Sequence, residues 1–197
     1  MSNVYTDIIK QIARLRTPED RRAMLLLRQE VYNERIEELT DDLRDSIITL
    51  LIWLKGMKSE IKQMHLMAAA IGKGDWQELT SADFGLIGRN LRDQYDYLDG
   101  FVKDVAANDG EPWSKKFLNR ALMYGAAGGV EFFLMDALRD ENEEATEYRW
   151  SRSPVDSCQT CLDNEAMGWV PVGSFGMVPR DGQTICKVRC LCDLIYR

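Results

Sequence analysis

The chain ends in two cysteine segments, Cys158-Gln159-Thr160-Cys161 and Cys186-Lys187-Val188-Arg189-Cys190-Leu191-Cys192, which contain all five of its cysteines. The segments are 24 residues apart, and the first 157 residues contain no cysteine. A Cys-x2-Cys turn presents two thiolates together, and two such half-sites complete the tetrahedral shell of a Zn²⁺ ion. The spacing therefore predicts one metal site that is built from both segments.

The predicted zinc ligands are four of the five cysteines Cys158, Cys161, Cys186, Cys190 and Cys192. Cys190 and Cys192 alternate along a predicted strand that reaches Tyr196, so both are expected on one face, and the spacing leaves open which of them binds. The single histidine, His65, lies far upstream in a helical pattern, where a surface or packing role is favoured over metal binding. A shell of four thiolates has no position for water, so the predicted zinc is structural and not catalytic.

Disulfide bonds or inert thiols are the alternative explanations of the clustered cysteines. Disulfide frameworks are typical of small secreted domains. The opening residues Met1-Ser2-Asn3-Val4-Tyr5 do not form the charged and apolar leader of a secreted protein, which favours the metal site. A redox role for Cys158-x2-Cys161 is disfavoured because no strand-helix-strand pattern surrounds this motif.

Residues 148–197, which we call the cysteine module, have the pattern of a small β-rich unit. Residues 148–152 alternate in polarity as a strand does, and Trp169-Val170-Pro171-Val172 predicts a second short strand. We expect Trp150 and Trp169 to cover the metal thiolates. A unit of about 50 residues buries little apolar surface, so a metal is expected to supplement its core.

Residues 1–147, which we call the helical body, have helical patterns almost throughout. Thr17-Pro18-Glu19-Asp20 combines a capping hydroxyl, proline at the first helical position and acidic residues in the first turn, which predicts a helix start. Thr40-Asp41-Asp42 predicts a second start, followed by an enclosed helix over Leu43–Met67. A shorter helix is predicted before Thr17 from an apolar stripe of Val4, Ile8, Ile12 and Leu15.

The second half of the helical body predicts two further helices. Apolar residues recur every three or four positions from Phe84 to Val105, and another helix is predicted from Lys115 to Asp140. Small residues in Gly125-Ala126-Ala127-Gly128-Gly129 allow another backbone to approach closely, so tight helix packing is expected there. The sequence therefore predicts a mainly α fold, with a multi-helix body at 1–147 and a zinc-stabilised, β-rich module at 148–197.

Charge and composition exclude several classes of function. The net charge of −7 divides into +1 for residues 148–197 and −8 for the rest, which disfavours broad nucleic-acid binding by the helical body. The longest apolar stretch, Ile47–Leu54, is far shorter than the roughly 18–20 residues of a membrane span. With one histidine and no Gly-x-Ser-x-Gly motif, an acyl-transfer triad has no support, and we predict that the chain is not an enzyme.

The order of several motifs resembles the minor head, or head-morphogenesis, proteins of tailed bacteriophages (Mu F-like). The resemblance covers about residues 84–197 and rests on Arg120-Ala121-Leu122-Met123-Tyr124, Tyr148-Arg149-Trp150, Cys158-Gln159-Thr160-Cys161, Pro179-Arg180-Asp181-Gly182-Gln183-Thr184, Cys186 and Cys190-Leu191-Cys192. Such proteins typically place a helical region before a Cys-x2-Cys turn and end on a Cys-Arg-Cys segment. This chain has Leu191 where that arginine usually stands, and Cys186 where many members have a histidine.

The resemblance implies a low-copy structural protein of the virion, located at the portal region of the head and present in the host cytoplasm before assembly. It implies a role in head morphogenesis or genome delivery within a symmetric assembly, without enzymatic activity. The implied partners are the portal and other head proteins, with contact to packaged DNA and none to a membrane. The alternative is a cytoplasmic zinc-ribbon module that binds nucleic acid or acts as a regulator.

Overall fold

The computed structural model describes residues 12, 17–107, 115–138, 144–153 and 157–197. Three long helices come first, followed by two short ones: α1 (Pro18–Arg44), α2 (Leu50–Lys73), α3 (Ser81–Ala107), α4 (Lys115–Gly128) and α5 (Val130–Ala137). A 3-10 turn at Trp76–Glu78 lies between α2 and α3. The predicted helix before Thr17 lies outside the described residues except for Ile12, which is fully buried.

The C-terminal part contains a small antiparallel sheet and one further helix. Its elements are β1 (Glu147–Ser151), α6 (Gln159–Ala166), β2 (Val170–Pro171), a 3-10 turn (Lys187–Arg189) and β3 (Asp193–Tyr196). The strand order is β2-β1-β3, and Trp150 of β1 pairs with Leu194 of β3. The predicted fold class, mainly α with a small β-rich, cysteine-containing C-terminal part, is confirmed.

The two predicted helix starts have different outcomes. At the first, the Asp20 N–H donates to the Thr17 hydroxyl at 3.1 Å and the Thr17 N–H donates to the Asp20 carboxylate at 3.3 Å, so the predicted cap is confirmed. The second start is wrong, because α1 continues through Thr40 to Arg44. The buried Thr40 hydroxyl donates to the Ile36 carbonyl at 2.6 Å within the helix, and Thr49 caps the next helix instead.

Helix α2 lies at the centre of the helical body, which confirms the prediction of an enclosed helix. The helix begins at Leu50, however, and not at the predicted Leu43. Its buried face runs from Trp53 to Gly72 and packs against the other helices of the body. The Trp53 ring lies 5.2 Å from the Phe117 ring and 6.1 Å from the Phe101 ring. Aromatic pairs at such distances each add about 0.5–1.5 kcal/mol beyond the burial of their surface.

The small residues of the predicted segment at 125–129 pack tightly against α1 and α2, as expected. A Cβ atom at Gly125 would overlap the Tyr32 ring of α1, and one at Gly128 would lie 3.0 Å from the Met64 side chain of α2. The prediction of one helix over Lys115–Asp140 is wrong, because the helix is interrupted at Gly129, between α4 and α5. This close packing is made within the chain's own core.

We expect Gly125→Ala to lower the free energy of unfolding by about 1–3 kcal/mol, because the added methyl group overpacks the contact with Tyr32. Gly100→Ala is the matched control, since a Cβ atom at this position in α3 meets no atom within 4 Å. The control substitution should raise the free energy of unfolding by about 0.5–1 kcal/mol through better helix propensity. Urea denaturation measures both values, and equal stabilisation by the two substitutions contradicts the close approach.

Candidate metal centre

The structure brings all five predicted cysteines together from three local elements. Cys158 is the N-cap residue of α6 and Cys161 lies in its first turn, so the Cys-x2-Cys motif forms a helix start. Cys186 and Cys190 lie at the two ends of the 3-10 turn Lys187–Arg189. Cys192 directly precedes β3, so the prediction that the strand begins at Cys190 is wrong.

Four pairs of sulfur atoms lie at about the separation found between two ligands of a tetrahedral metal site. The Cys158 sulfur is 3.5 Å from those of Cys161 and Cys186, and the Cys161 sulfur is 3.7 Å from that of Cys186 and 3.6 Å from that of Cys190. With Zn–S bonds of about 2.3 Å, two sulfurs of a tetrahedral site lie about 3.8 Å apart. The cysteines are therefore positioned to hold a metal ion.

Cys161 is the sulfur on which the arrangement centres. Two groups of three sulfurs each lie within 4.8 Å of one another, namely Cys158, Cys161 and Cys186, and Cys161, Cys190 and Cys192. Both groups include Cys161, which is fully buried. All five cysteines are free of disulfide bonds in the structure.

Aromatic side chains close the cluster on one side. Trp150, Tyr148 and Phe175 are buried with the cysteines in one hydrophobic cluster, which confirms the expectation for Trp150. The expectation for Trp169 is wrong, because its partly exposed ring lies 4.3 Å from the Arg197 guanidinium and 5.3 Å from that of Arg149. Arg149 and Trp150 point to opposite faces of β1, so Trp169 lies on the face away from the cysteines.

Backbone N–H groups stabilise thiolate at the start of α6. Burial raises the pKa of Cys158, but hydrogen bonds from the N–H groups of Cys161 and Cys186 outweigh it and lower the pKa to about 7. The Thr184 hydroxyl lies 3.2 Å from the Cys186 sulfur and adds a further polar contact. Donors that point at a sulfur favour its charged form, which is the form that binds metal.

The thiols of Cys161, Cys190 and Cys192 share hydrogen bonds inside the cluster. A hydrogen bond from the Cys190 thiol is the main cause that lowers the pKa of Cys192 to about 5. The same hydrogen bond, followed by burial, raises the pKa of Cys190, and burial raises the pKa of Cys161. A metal ion replaces such shared protons, because its ligands must all be thiolates.

Two arginines beside the cysteines were not identified as site residues from the sequence. Arg180 is buried, and its Nε donates to the Cys190 carbonyl at 3.0 Å. Burial is the main cause that lowers the Arg180 pKa to about 10, and the nearby Arg22 guanidinium lowers it further. Arg22 belongs to α1, so no local sequence pattern could connect it to the cysteines. For Arg180, the sequence contained one indication of a role near the cysteines, which is its position within the Pro179–Thr184 motif.

His65 is a buried packing residue of the helical body, as the sequence favoured. Its Nδ1 lies 3.0 Å from the Glu131 carboxylate, which also accepts a hydrogen bond from the Asn90 side chain at 2.8 Å. In the described part of the chain, groups of three or more metal-binding side chains contain cysteines alone. His65 and Asn90 also line a cleft of about 630 Å³ between α3 and the cysteine module.

Comparisons with known proteins identify no relative of this chain, so a functional proposal depends on the geometry of the site. No protein-family model matches the chain, and neither the curated proteins nor the solved structures contain a match to it. Among the residues that the structure describes, no helix combines the length and apolar character needed to cross a bilayer.

We expect Glu131→Ala to lower the free energy of unfolding by about 1–3 kcal/mol, because it leaves the buried imidazole of His65 and the partly buried amide of Asn90 without their shared acceptor. Glu38→Ala is the control, since Glu38 forms an exposed ion pair with Arg35. Loss of such a pair changes stability by less than about 1 kcal/mol. Chemical denaturation followed by circular dichroism compares the variants, and similar losses for both would argue against a stabilising role of the buried cluster.

Proposed function

We propose that the chain is a structural protein whose C-terminal cysteines hold one Zn²⁺ ion and that it serves as a minor head component of a tailed phage. The observation that supports the metal most directly is the contact of the Cys161 sulfur with three other sulfurs at 3.5–3.7 Å. Each vertex of a tetrahedral ZnS₄ centre has three such neighbours.

The convergence on Cys161 favours a metal over disulfide bonds. A disulfide joins two sulfurs at about 2.05 Å and cannot make use of a third or fourth sulfur. Here Cys161 contacts Cys158, Cys186 and Cys190, so any one disulfide would leave other sulfurs crowded around it. A metal ion uses all of these sulfurs at once.

The proposed ligands are Cys158, Cys161, Cys186 and Cys190: the first three sulfurs lie within 4.8 Å of one another, and the Cys190 sulfur contacts that of Cys161 at 3.6 Å. Cys190 is chosen as the fourth ligand because its sulfur contacts that of Cys161 at 3.6 Å; Cys192 belongs to the same group, whose sulfurs lie within 4.8 Å of one another. We assign it a supporting position beside the Cys190 ligand. Four soft thiolates in a tetrahedral arrangement suit zinc, and the closed shell gives it a structural role.

We expect purified protein, kept reduced, to contain about one zinc per chain. Cys161→Ser should lose most of this zinc because it removes the central ligand, whereas Cys192→Ser should retain it. Elemental analysis by mass spectrometry measures the metal content of all three proteins. Wild-type protein that lacks zinc and contains disulfides would reject the metal, and zinc loss only in the Cys192 variant would reject the ligand set.

The proposed phage role is supported by where the resembling motifs lie. Arg120–Tyr124 belongs to α4, Tyr148–Trp150 to β1, and Pro179–Thr184 to the loop that contains the buried Arg180 and Thr184. The 3-10 turn between Cys186 and Cys190 packs against α4. The Tyr148–Trp150 and Pro179–Thr184 motifs thus lie beside the cysteines, while Arg120–Tyr124 lies on the helix against which the 3-10 turn packs.

The proposed protein acts at the portal region of the head, where it contacts the portal and other head proteins and takes part in morphogenesis or genome delivery. The acidic helical body suits contacts with proteins better than contacts with DNA phosphates. The alternative role as a zinc-ribbon module that binds nucleic acid has limited support from the exposed Arg149, Arg152 and Arg197 on the sheet.

We expect mass spectrometry of purified particles from a phage that encodes this chain to detect it at low copy relative to the major capsid protein. The matched control is the same preparation from a phage in which the gene is deleted. Absence of the chain from wild-type particles would contradict the proposed role. If the free protein then binds DNA with an affinity that falls steeply with salt, the nucleic-acid module is the better description.

A further inference from the structure

We infer that Arg22 and Arg180 are positioning residues that clamp the metal-binding segment Cys190–Cys192 onto the helical body. Metal affinity and docking of the cysteine module on the body are then energetically linked. This inference rests on the proposed metal site. Its physical basis is a set of guanidinium contacts to three consecutive backbone carbonyls.

The three carbonyls belong to Cys190, Leu191 and Cys192. The Arg180 Nε donates to the Cys190 carbonyl at 3.0 Å. Arg22 donates to the other two, to the Cys192 carbonyl at 3.2 Å and to the Leu191 carbonyl through its second terminal nitrogen. The backbone on both sides of the Cys190 sulfur is therefore held by side chains outside the cysteine segments.

Arg22 fixes the segment directly to the first long helix of the body. Besides its carbonyl contacts, Arg22 forms an ion pair with Asp193 at the start of β3, and both side chains are about three-quarters buried, with 26% exposure each. The planar guanidinium presents several donors in a fixed fork, which suits simultaneous contacts to neighbouring carbonyls and a carboxylate. Arg22 thereby sets the position of residues 190–193 relative to α1.

Arg180 makes the second connection from within the cysteine module. Its Nη1 donates to the Gln29 side chain of α1 at 2.7 Å, so one guanidinium contacts both the Cys190 backbone and the body. Gly129, at the break between α4 and α5, leaves the space that Arg180 fills, because a Cβ atom there would overlap the guanidinium. Arg180 also has a left-handed backbone with φ of 71°, a strained conformation for a residue with a side chain.

These contacts act on the metal site in two ways. They fix the backbone that supports Cys190, and outer-shell contacts that orient ligands typically change metal affinity by about 10- to 100-fold. They also place positive charge beside a centre that would have a net charge of −2 with four thiolates and one Zn²⁺. By linkage, zinc that binds more tightly to the docked arrangement must stabilise docking by the same factor.

The test measures zinc affinity of the full chain by competition with a chromophoric chelator. We expect Arg22→Ala to bind zinc about 10- to 100-fold more weakly than wild type. Gln29→Ala should bind zinc at least several-fold more weakly than wild type. Gln29→Ala leaves every cysteine and both arginines in place, so it removes only the body end of the Arg180 connection. Arg35→Ala is the matched control, because Arg35 lies on the same helix in an exposed pair with Glu38.

A second readout separates the clamp from general stabilisation. The increase in melting temperature caused by zinc is measured for each variant against its own metal-free form. A merely structural arginine lowers both melting temperatures equally and leaves the increase unchanged, whereas a clamp residue makes the increase smaller. Arg22→Lys, which retains charge without the fork, should recover only part of the zinc affinity.

The outcomes distinguish this inference from the proposed metal site. Wild-type protein that binds no zinc overturns the metal site itself. Wild-type protein that binds zinc, together with Arg22→Ala and Gln29→Ala variants of unchanged affinity and unchanged zinc-induced stabilisation, overturns the clamp alone. If one variant fails to fold, the other decides the result by the same two measurements.

Discussion

The contact of one buried sulfur, that of Cys161, with three others is the interaction on which the C-terminal part depends. The sheet of β1, β2 and β3 is short, and its hydrophobic cluster contains only a few aromatic and aliphatic side chains besides the cysteines. Without the sulfur cluster, such a small unit would lack the buried area that a stable fold requires. The helix start at Cys158 and the turn between Cys186 and Cys190 both serve to point sulfurs at Cys161.

The helical body supplies the second requirement, which is a fixed surface behind the cysteines. Helix α2 fills the centre of the body, and the small residues near the end of α4 let α1 and α2 approach closely. The same small-residue segment ends at Gly129, where the Arg180 side chain from the module enters. Close packing of the body and attachment of the module therefore share one stretch of sequence.

Buried charge marks the boundary between the two parts. Arg21 pairs with Asp136 at 3.3 Å within the body, while Arg22 and Arg180 hold the backbone of the module. Buried cations are costly unless acceptors compensate them, and carbonyl groups, a carboxylate and the sulfur cluster provide this compensation. A junction of this kind specifies one orientation, because a shifted module would leave these groups without partners.

Local patterns in the sequence predicted most of the helical segments, the capped start at Thr17 and the two cysteine half-sites, because these depend on spacing over a few residues. Tertiary structure alone decided that α1 continues past Thr40, that α4 ends at Gly128 and that Trp169 lies away from the sulfurs. It also decided the partners of His65 and Arg22, namely Glu131 and the carbonyls of Leu191 and Cys192. Helix and strand periods report which face of an element is apolar, but they do not report which distant element covers that face. Contacts between residues 66 to 170 positions apart arise only when the chain topology places them side by side.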